Sequence, residues 1–319
     1  MKKLGQRVLL AVAFGVIVYV ALTVYADAAK LKVKLAEFNY WLVIPALTLA
    51  AINYLVRFVK WHYYLGRLEV RVPPAESLLV FLAGFVLTVT PGKLGEVVKS
   101  YLLREVRNVP MARTAPIVVA ERVTDLVALI LLMLIGVFTY RAGVLGMLIG
   151  AGLVALFLAF VAWRRLALGV LGVMGRLPLI RRVGHKLEEA YESMAVLVAP
   201  APLLVATVLS TAAWFCECAG FFIIIGGFPG ASASLHTSTF IYSSMTIAGA
   251  LSFLPGGLGV TEAGMTGLLA RLGRGIDSAV AVGATFVTRL CTLWFAVLVG
   301  FVALLWLRRR TGKALNVGG

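Results

Sequence analysis

Six apolar runs in this sequence are each long enough to cross a lipid bilayer as a helix. They are Val8–Tyr25, Tyr40–Val59, Ala115–Tyr140, Val144–Trp163, Leu203–Phe228 and Ala279–Leu307. A spanning helix needs about 20 predominantly apolar residues. Hydrophobic residues make up 61% of the 319 residues and charged residues only 14%, whereas a soluble domain carries roughly a quarter charged residues. The sequence therefore predicts an all-α integral membrane protein with about six transmembrane helices.

Four shorter apolar runs form two pairs, and a Pro-Gly step interrupts each pair. Ser77–Thr90 and Leu94–Leu103 flank Pro91-Gly92, while Leu235–Leu254 and Leu258–Leu272 flank Pro255-Gly256-Gly257. Proline removes a backbone donor and glycine loosens the chain, so neither junction continues a straight helix. Each pair is predicted to form a re-entrant helical hairpin, named here hairpin 1 (residues 77–103) and hairpin 2 (residues 235–272).

The two hairpins also share sequence. Pro91-Gly92-Lys93-Leu94-Gly95 matches Pro255-Gly256-Gly257-Leu258-Gly259 at four positions in five, at an offset of 164, and an arginine follows each junction at an offset of 167, Arg122 and Arg289. The predicted topology places the hairpins on opposite sides of the membrane, which makes the repeat inverted. Inverted repeats with broken helices are typical of secondary transporters, whose binding site lies at the repeat interface.

Basic residues at the ends of the apolar runs predict the orientation. These clusters are Lys2, Lys3 and Arg7; Arg67 and Arg71; Arg164 and Arg165; Arg181, Arg182 and Lys186; and Arg308, Arg309 and Arg310. Under the positive-inside rule they favour cytoplasmic N- and C-termini in the cell membrane, against the exceptions Lys30, Lys32, Lys34, Arg271 and Arg274. Because no basic stretch is long enough to form a separate domain, the net charge of +16 does not indicate nucleic-acid binding.

The single membrane domain, residues 1–319, divides into five predicted parts. They are a first helix and loop (1–39), repeat one (40–163), a cytoplasmic amphipathic segment (164–199), repeat two (200–307) and a basic cytoplasmic tail (308–319). Residues 1–28 also fit a cleaved secretory signal, since Ala26-Asp27-Ala28 follows the first apolar run. A retained first helix is favoured, because the run is long enough to span.

Charged residues inside membrane segments are costly and are therefore the candidate functional groups. Arg122 and Arg289 are predicted to hold a phosphate, because the guanidinium group offers a planar bidentate fork. Helices that begin near Lys93 and Gly257 would add N-terminal amides. Glycines at both junctions allow close approach of a ligand: Gly92, Gly95, Gly256, Gly257 and Gly259.

The acidic candidates either orient these arginines or exchange protons. They are Glu96, Glu121, Asp125 and Glu262. In the alternative interpretation, Arg122–Asp125 and Arg289–Glu262 are structural ion pairs. Arg57 lies near a predicted helix end and pairs with Asn53 at i, i+4, so its side chain is expected to reach the membrane surface. The thiols of Cys216 and Cys218 point apart on a helix, so we predict no metal site there. Because no enzyme motif is present, we also predict no cofactor and no catalytic residue.

Four sequence blocks resemble one membrane family. In chain order they are Pro91-Gly92-x-x-Gly95-Glu96, Glu121-Arg122-x-x-Asp125, Leu254-Pro255-Gly256-Gly257-Leu258-Gly259-Val260-x-Glu262 and Thr288-Arg289. They are similar to the flippase-like family related to the transmembrane region of lysylphosphatidylglycerol synthases. The resemblance covers about residues 40–307 and implies movement of a phospholipid or polyprenyl-phosphate lipid between leaflets. Lys93 is an additional cation that would favour an anionic head group.

The resulting expectation is a lipid translocase without its own ATPase. Two alternatives remain open. The chain could be a scaffold that presents lipid to a separate glycosyl- or aminoacyl-transferase, with 164–199 as the docking surface. It could also be a membrane enzyme that modifies a lipid head group, although no nucleotide-binding or metal motif supports catalysis.

Overall fold

The computed structural model describes residues 15–90, 96–140, 144–163 and 184–311. Within these ranges the chain is helical apart from turns and one isolated antiparallel bridge, Ser232 to Arg274, which confirms the all-α prediction. The helices are α1 (Gly15–Tyr25), α2 (Ala28–Glu37), α3 (Val43–Arg67), α4 (Pro74–Ala83), α5 (Val98–Arg107), α6 (Met111–Tyr140), α7 (Val144–Ala162), α8 (Gly184–Leu197), α9 (Pro200–Ile225), α10 (Leu235–Leu251), α11 (Val260–Leu272), α12 (Ser278–Arg289) and α13 (Phe295–Thr311).

Three helical segments are long and apolar enough to cross a membrane. They are Tyr40–Arg67, Pro200–Ile225 and Ser278–Arg310, and shorter apolar helices cover Gly15–Tyr25, Pro74–Leu87 and Leu148–Val161. Large apolar side chains point outward from the spans, among them Leu55 on α3, Leu204 on α9 and Leu298 on α13. Such outward faces suit a lipid environment, so the chain has the construction of a membrane protein.

The segment expected to be the first loop contains a helix. Asp27 caps α2 by accepting a hydrogen bond from the amide of Ala29 at 3.1 Å, and Leu31 is buried. The segment from Ala28 to Glu37 contains neither glycine nor proline, so a well-placed cap is enough to start a short helix.

Hairpin 1 consists of α4, which continues as a 3₁₀ turn over Gly84–Leu87, and α5. Its open end is joined by a bidentate ion pair, in which Arg107 contacts the carboxylate of Glu76 at 2.6 and 2.7 Å. Hairpin 2 consists of α10 and α11, and its open end is joined by the two backbone hydrogen bonds between Ser232 and Arg274, each 2.9 Å. In each hairpin, therefore, the start of the first helix lies close to the end of the second helix.

The tip of hairpin 2 lies beside Val89 of hairpin 1, and the described residues just before the Pro-Gly step of hairpin 1 are called its tip below. A Cβ atom placed on Gly256 would lie 3.6 Å from the Cα of Val89. Val89 also shares a small apolar cluster with Leu258 and Leu293. The Pro-Gly end of hairpin 2 therefore lies against the last described residues before the Pro-Gly step of hairpin 1.

The order of elements is the same in the two halves of the chain. A long helix (α3 or α9) precedes each hairpin, and another helix follows it (α6 or α12). At the offset of 164, Val260 at the start of α11 corresponds to Glu96, where a 3₁₀ turn leads into α5. At the offset of 167, Ser278 at the start of α12 corresponds to Met111 at the start of α6. These helices therefore begin at corresponding positions in the two halves of the chain.

The described part of the amphipathic segment is α8, while residues 164–183 lie outside the described residues. One face of α8 is buried through Tyr191, Met194 and Leu197, and the opposite face exposes Glu188 and Glu192. The Tyr191 hydroxyl donates to the carbonyl of Val161 on α7 at 2.8 Å. The helix is amphipathic as predicted, and its apolar face packs on the protein itself.

Candidate functional site

A cavity of about 260 Å³ lies where the two hairpin tips meet the long helices. Its polar lining comes from both halves of the chain: Tyr54, Arg57, Thr88, Arg122, Asp125, Glu217, Tyr242, Thr246, Thr261, Arg289 and Thr292. Apolar side chains such as Leu129, Trp214 and Phe253 complete it. Because Phe253 is 71% exposed, the cavity reaches the outer surface of the protein.

The Arg57 side chain lines this cavity. The expectation from the sequence that it reaches the membrane surface is therefore wrong. Its side chain is 7% exposed, and the nearest carboxylate oxygen, on Glu96, is 3.8 Å away. Among the described residues, Nε and one terminal nitrogen, Nη2, have no hydrogen-bond partner. Asn53 does not pair with Arg57 either, because its amide donates to the carbonyl of Ala213 at 2.7 Å. The physical reason is that α3 continues to Arg67, so Arg57 lies in the helix interior.

Arg122 projects from α6 into the same cavity. It donates to Glu96 at 2.9 Å and lies 3.4 Å from Asp125 on its own helix. The side chain is 25% exposed, whereas both carboxylates are almost completely buried. The two carboxylates therefore contact part of the guanidinium group, and the rest of the group remains exposed to the cavity.

Two buried lysines, whose role the sequence did not indicate, complete this network. Lys60 contacts Asp125 and the hydroxyl of Ser210, each at 2.7 Å. Lys99 contacts Glu121 and lies 3.6 Å from Glu96, and its ammonium group sits 4.7 Å from the ring centre of Trp61. Lys60 and Trp61 are completely buried. Asn53, Arg57, Lys60 and Tyr64 recur every three or four residues, which is the helical spacing that could have revealed this polar face.

Arg289 is held at the end of α12 by hairpin 2. Its Nε donates to Glu262 at 2.6 Å, and a terminal nitrogen donates to the carbonyl of Gly256 at 2.8 Å. The second oxygen of Glu262 accepts from the amide of Gly259 at 2.7 Å. A π-helical turn over Leu290–Trp294 follows directly, and the Thr292 carbonyl accepts from the Tyr54 hydroxyl at 3.0 Å.

The start of α11 differs from the expected open anion site. The helix begins at Val260 and not near Gly257. Gly256, Gly257 and Gly259 all have positive φ, which glycine adopts without strain. The Glu262 carboxylate caps the helix, so its N-terminal amides already face an internal anion. The ion pair Arg289–Glu262 is therefore present, as the structural alternative expected.

Glu217 on α9 is the remaining carboxylate in the cavity wall. The Tyr242 hydroxyl donates to it at 2.5 Å, and its residue is 8% exposed. No lysine or arginine nitrogen of the described residues lies within 4.0 Å of this carboxylate. Its position within the apolar run Leu203–Phe228 makes it one of the charged residues inside a membrane segment that the sequence marks as functional candidates.

The predicted site residues thus fall into three groups. Arg122, Arg289, Asp125, Gly256 and Gly257 line the cavity. The members of the second group do not line the cavity but take part in ion pairs or in a helix cap beside it: Glu96, Glu121, Glu262 and Gly259. Gly92, Lys93 and Gly95 lie outside the described residues. Within the described ranges no group of three His, Cys, Asp or Glu side chains is arranged to hold a metal ion.

Comparisons with known proteins agree with the resemblance noted in the sequence. A UPF0104 membrane protein of Methanothermobacter thermautotrophicus is 25% identical to this chain over an alignment 318 residues long. The alignment covers 92% of this chain and 93% of the relative. A UPF0104 membrane protein of Pyrococcus horikoshii is 23% identical over 291 residues, or 82% of this chain and 86% of the relative. The family model described as the lysylphosphatidylglycerol synthase TM region matches residues 8–300. The chain is therefore a membrane protein that belongs to the lysylphosphatidylglycerol synthase TM family.

Proposed function

We propose that this protein moves a lipid with a phosphate-containing, anionic head group from one leaflet of the membrane to the other. The head group would enter the cavity while the tails stay in the bilayer. The observation that carries the proposal is the convergence of Arg57, Arg122 and Arg289 on one cavity, with buried donors of Arg57 left without a partner among the described residues.

Unpaired guanidinium donors favour a bound oxyanion. Each buried donor without a partner costs about 1–3 kcal/mol, and Arg57 has two of them, Nε and Nη2. A phosphate offers several acceptor oxygens in the planar geometry that arginine recognises. Arg57 and Arg122 both contact the Glu96 carboxylate, and Arg289 lines the same cavity from the second half of the chain. A phosphate in the cavity can therefore contact both halves.

The size and lining of the cavity favour a head group over a whole lipid. Its volume of about 260 Å³ is close to the lower end of the roughly 300–1,000 Å³ seen for small-molecule sites. Leu126, Leu129 and Phe253 lie beside the polar groups. A charged group can therefore be enclosed while apolar chains extend past Phe253 into the membrane.

The two hairpins supply the element that moves in this proposal. The described tip residues Thr88 and Gly256 line the cavity, and an apolar cluster that includes Val89 and Leu258 joins the two hairpins. If the two hairpins enter the membrane from opposite sides, one tip can withdraw while the other closes. This motion is the alternating access expected of inverted repeats. No ATP site is invoked, so movement would be downhill or coupled to an ion.

A translocation assay in vesicles tests the proposal. Purified protein is reconstituted with tail-labelled phosphatidylglycerol, and dithionite quenches the label that reaches the outer leaflet. Wild type is expected to expose the inner-leaflet label. Arg57→Gln and Arg122→Gln are each expected to slow exposure more than tenfold, because losing a buried charge contact costs about 2–5 kcal/mol.

Arg271→Gln is the matched control, since Arg271 is an exposed arginine on α11 outside the cavity lining. It should translocate like wild type. Wild type that fails to move this and polyprenyl-phosphate lipids would contradict the proposal. Lipid that co-purifies with wild type and is lost from Arg57→Gln, without any translocation, would favour a scaffold that presents lipid to a transferase.

A further inference from the structure

The cavity contains one carboxylate that the phosphate site does not explain, Glu217. The other carboxylates of the network, Glu96, Glu121, Asp125 and Glu262, each have a lysine or arginine nitrogen within 4.0 Å. Among the described residues Glu217 has none and accepts only from the Tyr242 hydroxyl. An ionisable side chain at membrane depth without a cationic partner is costly and is a functional candidate.

The charge balance of the network indicates what Glu217 does. Among the described residues, five cations, Arg57, Lys60, Lys99, Arg122 and Arg289, face the four paired carboxylates. A bound phosphodiester adds one negative charge to this set of described groups. With Glu217 ionised, binding therefore changes the net charge of the set by −1, whereas binding together with protonation of Glu217 leaves it unchanged.

We propose that Glu217 takes up one proton when an anionic head group binds, so that lipid and proton occupy the cavity together. This inference rests on the proposed function and names its coupling ion. Moving an uncompensated charge through a low-dielectric membrane is strongly unfavourable. Proton uptake by Glu217 keeps the net charge of the described groups the same in the empty and in the filled site, so binding adds no uncompensated charge.

The surroundings of Glu217 single it out as the group that changes protonation. The charged or titratable groups that face it are Tyr54 and Arg57 on α3, Arg122 and Asp125 on α6, Tyr242 on α10, Arg289 on α12, Cys291 on the π turn, and its neighbours Cys216 and Cys218. Arginine stays protonated in proteins, and Asp125 is held by Lys60 at 2.7 Å. Glu217 is the carboxylate in this set whose protonation breaks no ion pair.

Proton uptake on binding provides the test. Short-chain phosphatidylglycerol is the probe, because its phosphodiester keeps one negative charge between about pH 5 and pH 8. Titration calorimetry in two buffers with different heats of ionisation gives both the Kd and the number of protons taken up. For wild type we expect uptake approaching one proton per lipid and affinity that rises by up to tenfold for each unit of falling pH.

Three variants make the result specific. Glu217→Gln should still bind the lipid, with no proton uptake assignable to this site and an affinity independent of pH. Tyr242→Phe should keep the uptake, because the proton goes to the carboxylate of Glu217 and not to the tyrosine that donates to it. Cys216→Ser, adjacent in sequence and outside the cavity lining, should behave as wild type. The comparison with Glu217→Gln assigns the proton to this carboxylate.

The outcomes separate this inference from the proposed function. Lipid binding by wild type without uptake, or with the same uptake in Glu217→Gln, overturns the proton inference and leaves the phosphate site in place. Tighter binding of an amine-bearing head group that Glu217→Gln abolishes, again without uptake, assigns Glu217 to cation recognition and also overturns it. Failure of every variant and wild type to bind the probe contradicts the proposed function itself.

Discussion

At the scale of single residues, the buried charged side chains fall into two groups according to how closely an opposite charge contacts them. Lys60, Lys99 and Glu121 make short contacts with opposite charges and have almost no exposed surface. Arg57 and Glu217 line the cavity and have weaker charge partners or none. Buried ion pairs are costly to break, whereas an incompletely paired charge is available to a ligand. The first group is therefore expected to support the structure and the second to act on the substrate.

Replacing Lys60 tests the structural half of this division. Lys60→Met leaves the Asp125 carboxylate without its 2.7 Å partner and Ser210 without its donor. We expect a loss of about 3–5 kcal/mol in the free energy of unfolding, because one uncompensated charge remains buried. Thermal unfolding in detergent, followed by circular dichroism, measures the effect.

Lys34→Met is the matched control for Lys60→Met. Lys34 contacts Glu37 at 3.3 Å on an exposed stretch of α2. Exposed ion pairs contribute about 0–1 kcal/mol, so this variant should unfold close to wild type. Equal losses in the two lysine variants would show that burial of the Lys60–Asp125 pair has no special role.

At the scale of elements, hairpin 1 is packed directly on α13 through a glycine. A Cβ atom on Gly300 would lie 2.5 Å from the backbone nitrogen of Val86 and 2.8 Å from the carbonyl carbon of Phe85. Because both atoms belong to backbone, no side-chain rotation relieves the clash. Gly300→Ala is expected to push hairpin 1 away from α13 and to lower the free energy of unfolding by about 1–3 kcal/mol.

Gly267→Ala is the comparison for Gly300→Ala, since a Cβ atom at Gly267 on α11 meets nothing within 4 Å. Alanine is the better helix former by about 1 kcal/mol, so this variant should match or exceed the stability of wild type. The same unfolding measurement in detergent applies to both. A destabilised Gly267→Ala beside an unchanged Gly300→Ala would contradict the packing described for α13.

Element positions could be predicted from the sequence more reliably than side-chain roles. Apolar runs and Pro-Gly breaks are local signals, so α3, α9 and both hairpins lie close to where they were expected. The predicted run ended at Val59, which made Arg57 look like a residue of the membrane surface, whereas α3 continues through Leu65 to Arg67. Two further turns, rich in tyrosine and tryptophan, carry too little hydrophobicity to be recognised as a continuing helix, yet they are buried by tertiary contacts.

At the scale of the whole molecule, the two halves meet around the candidate site in similar ways. Arg122 pairs with Glu96 across 26 positions and Arg289 with Glu262 across 27, so each arginine is held by the carboxylate that starts the second helix of its own hairpin. The sequence suggested Glu262 as a partner of Arg289 and Asp125 as a partner of Arg122, which lies 3.4 Å from it, but it did not show that Glu96 holds Arg122 in the equivalent way. Long-range contacts of this kind depend on how the hairpins turn, and glycine backbones with positive φ decide that locally.

The contact between hairpin tips leads to a prediction about the working cycle. Val89 and Gly256 are close enough for a cross-link, because a Cβ on Gly256 would lie 3.6 Å from the Cα of Val89. We expect Val89→Cys with Gly256→Cys, in a background with alanine at Cys216, Cys218 and Cys291, to form a disulfide on oxidation. If the tips must separate for the head group to pass, the oxidised protein retains lipid binding and loses translocation, and a reductant restores it. Each single cysteine variant, treated with the same oxidant, is the reference for this loss, because a side chain at Gly256, whose φ is +60°, strains the backbone without any cross-link. Full translocation by the cross-linked protein would show that the tips stay together throughout, and the moving element would then have to lie elsewhere, in the long helices that form the other walls.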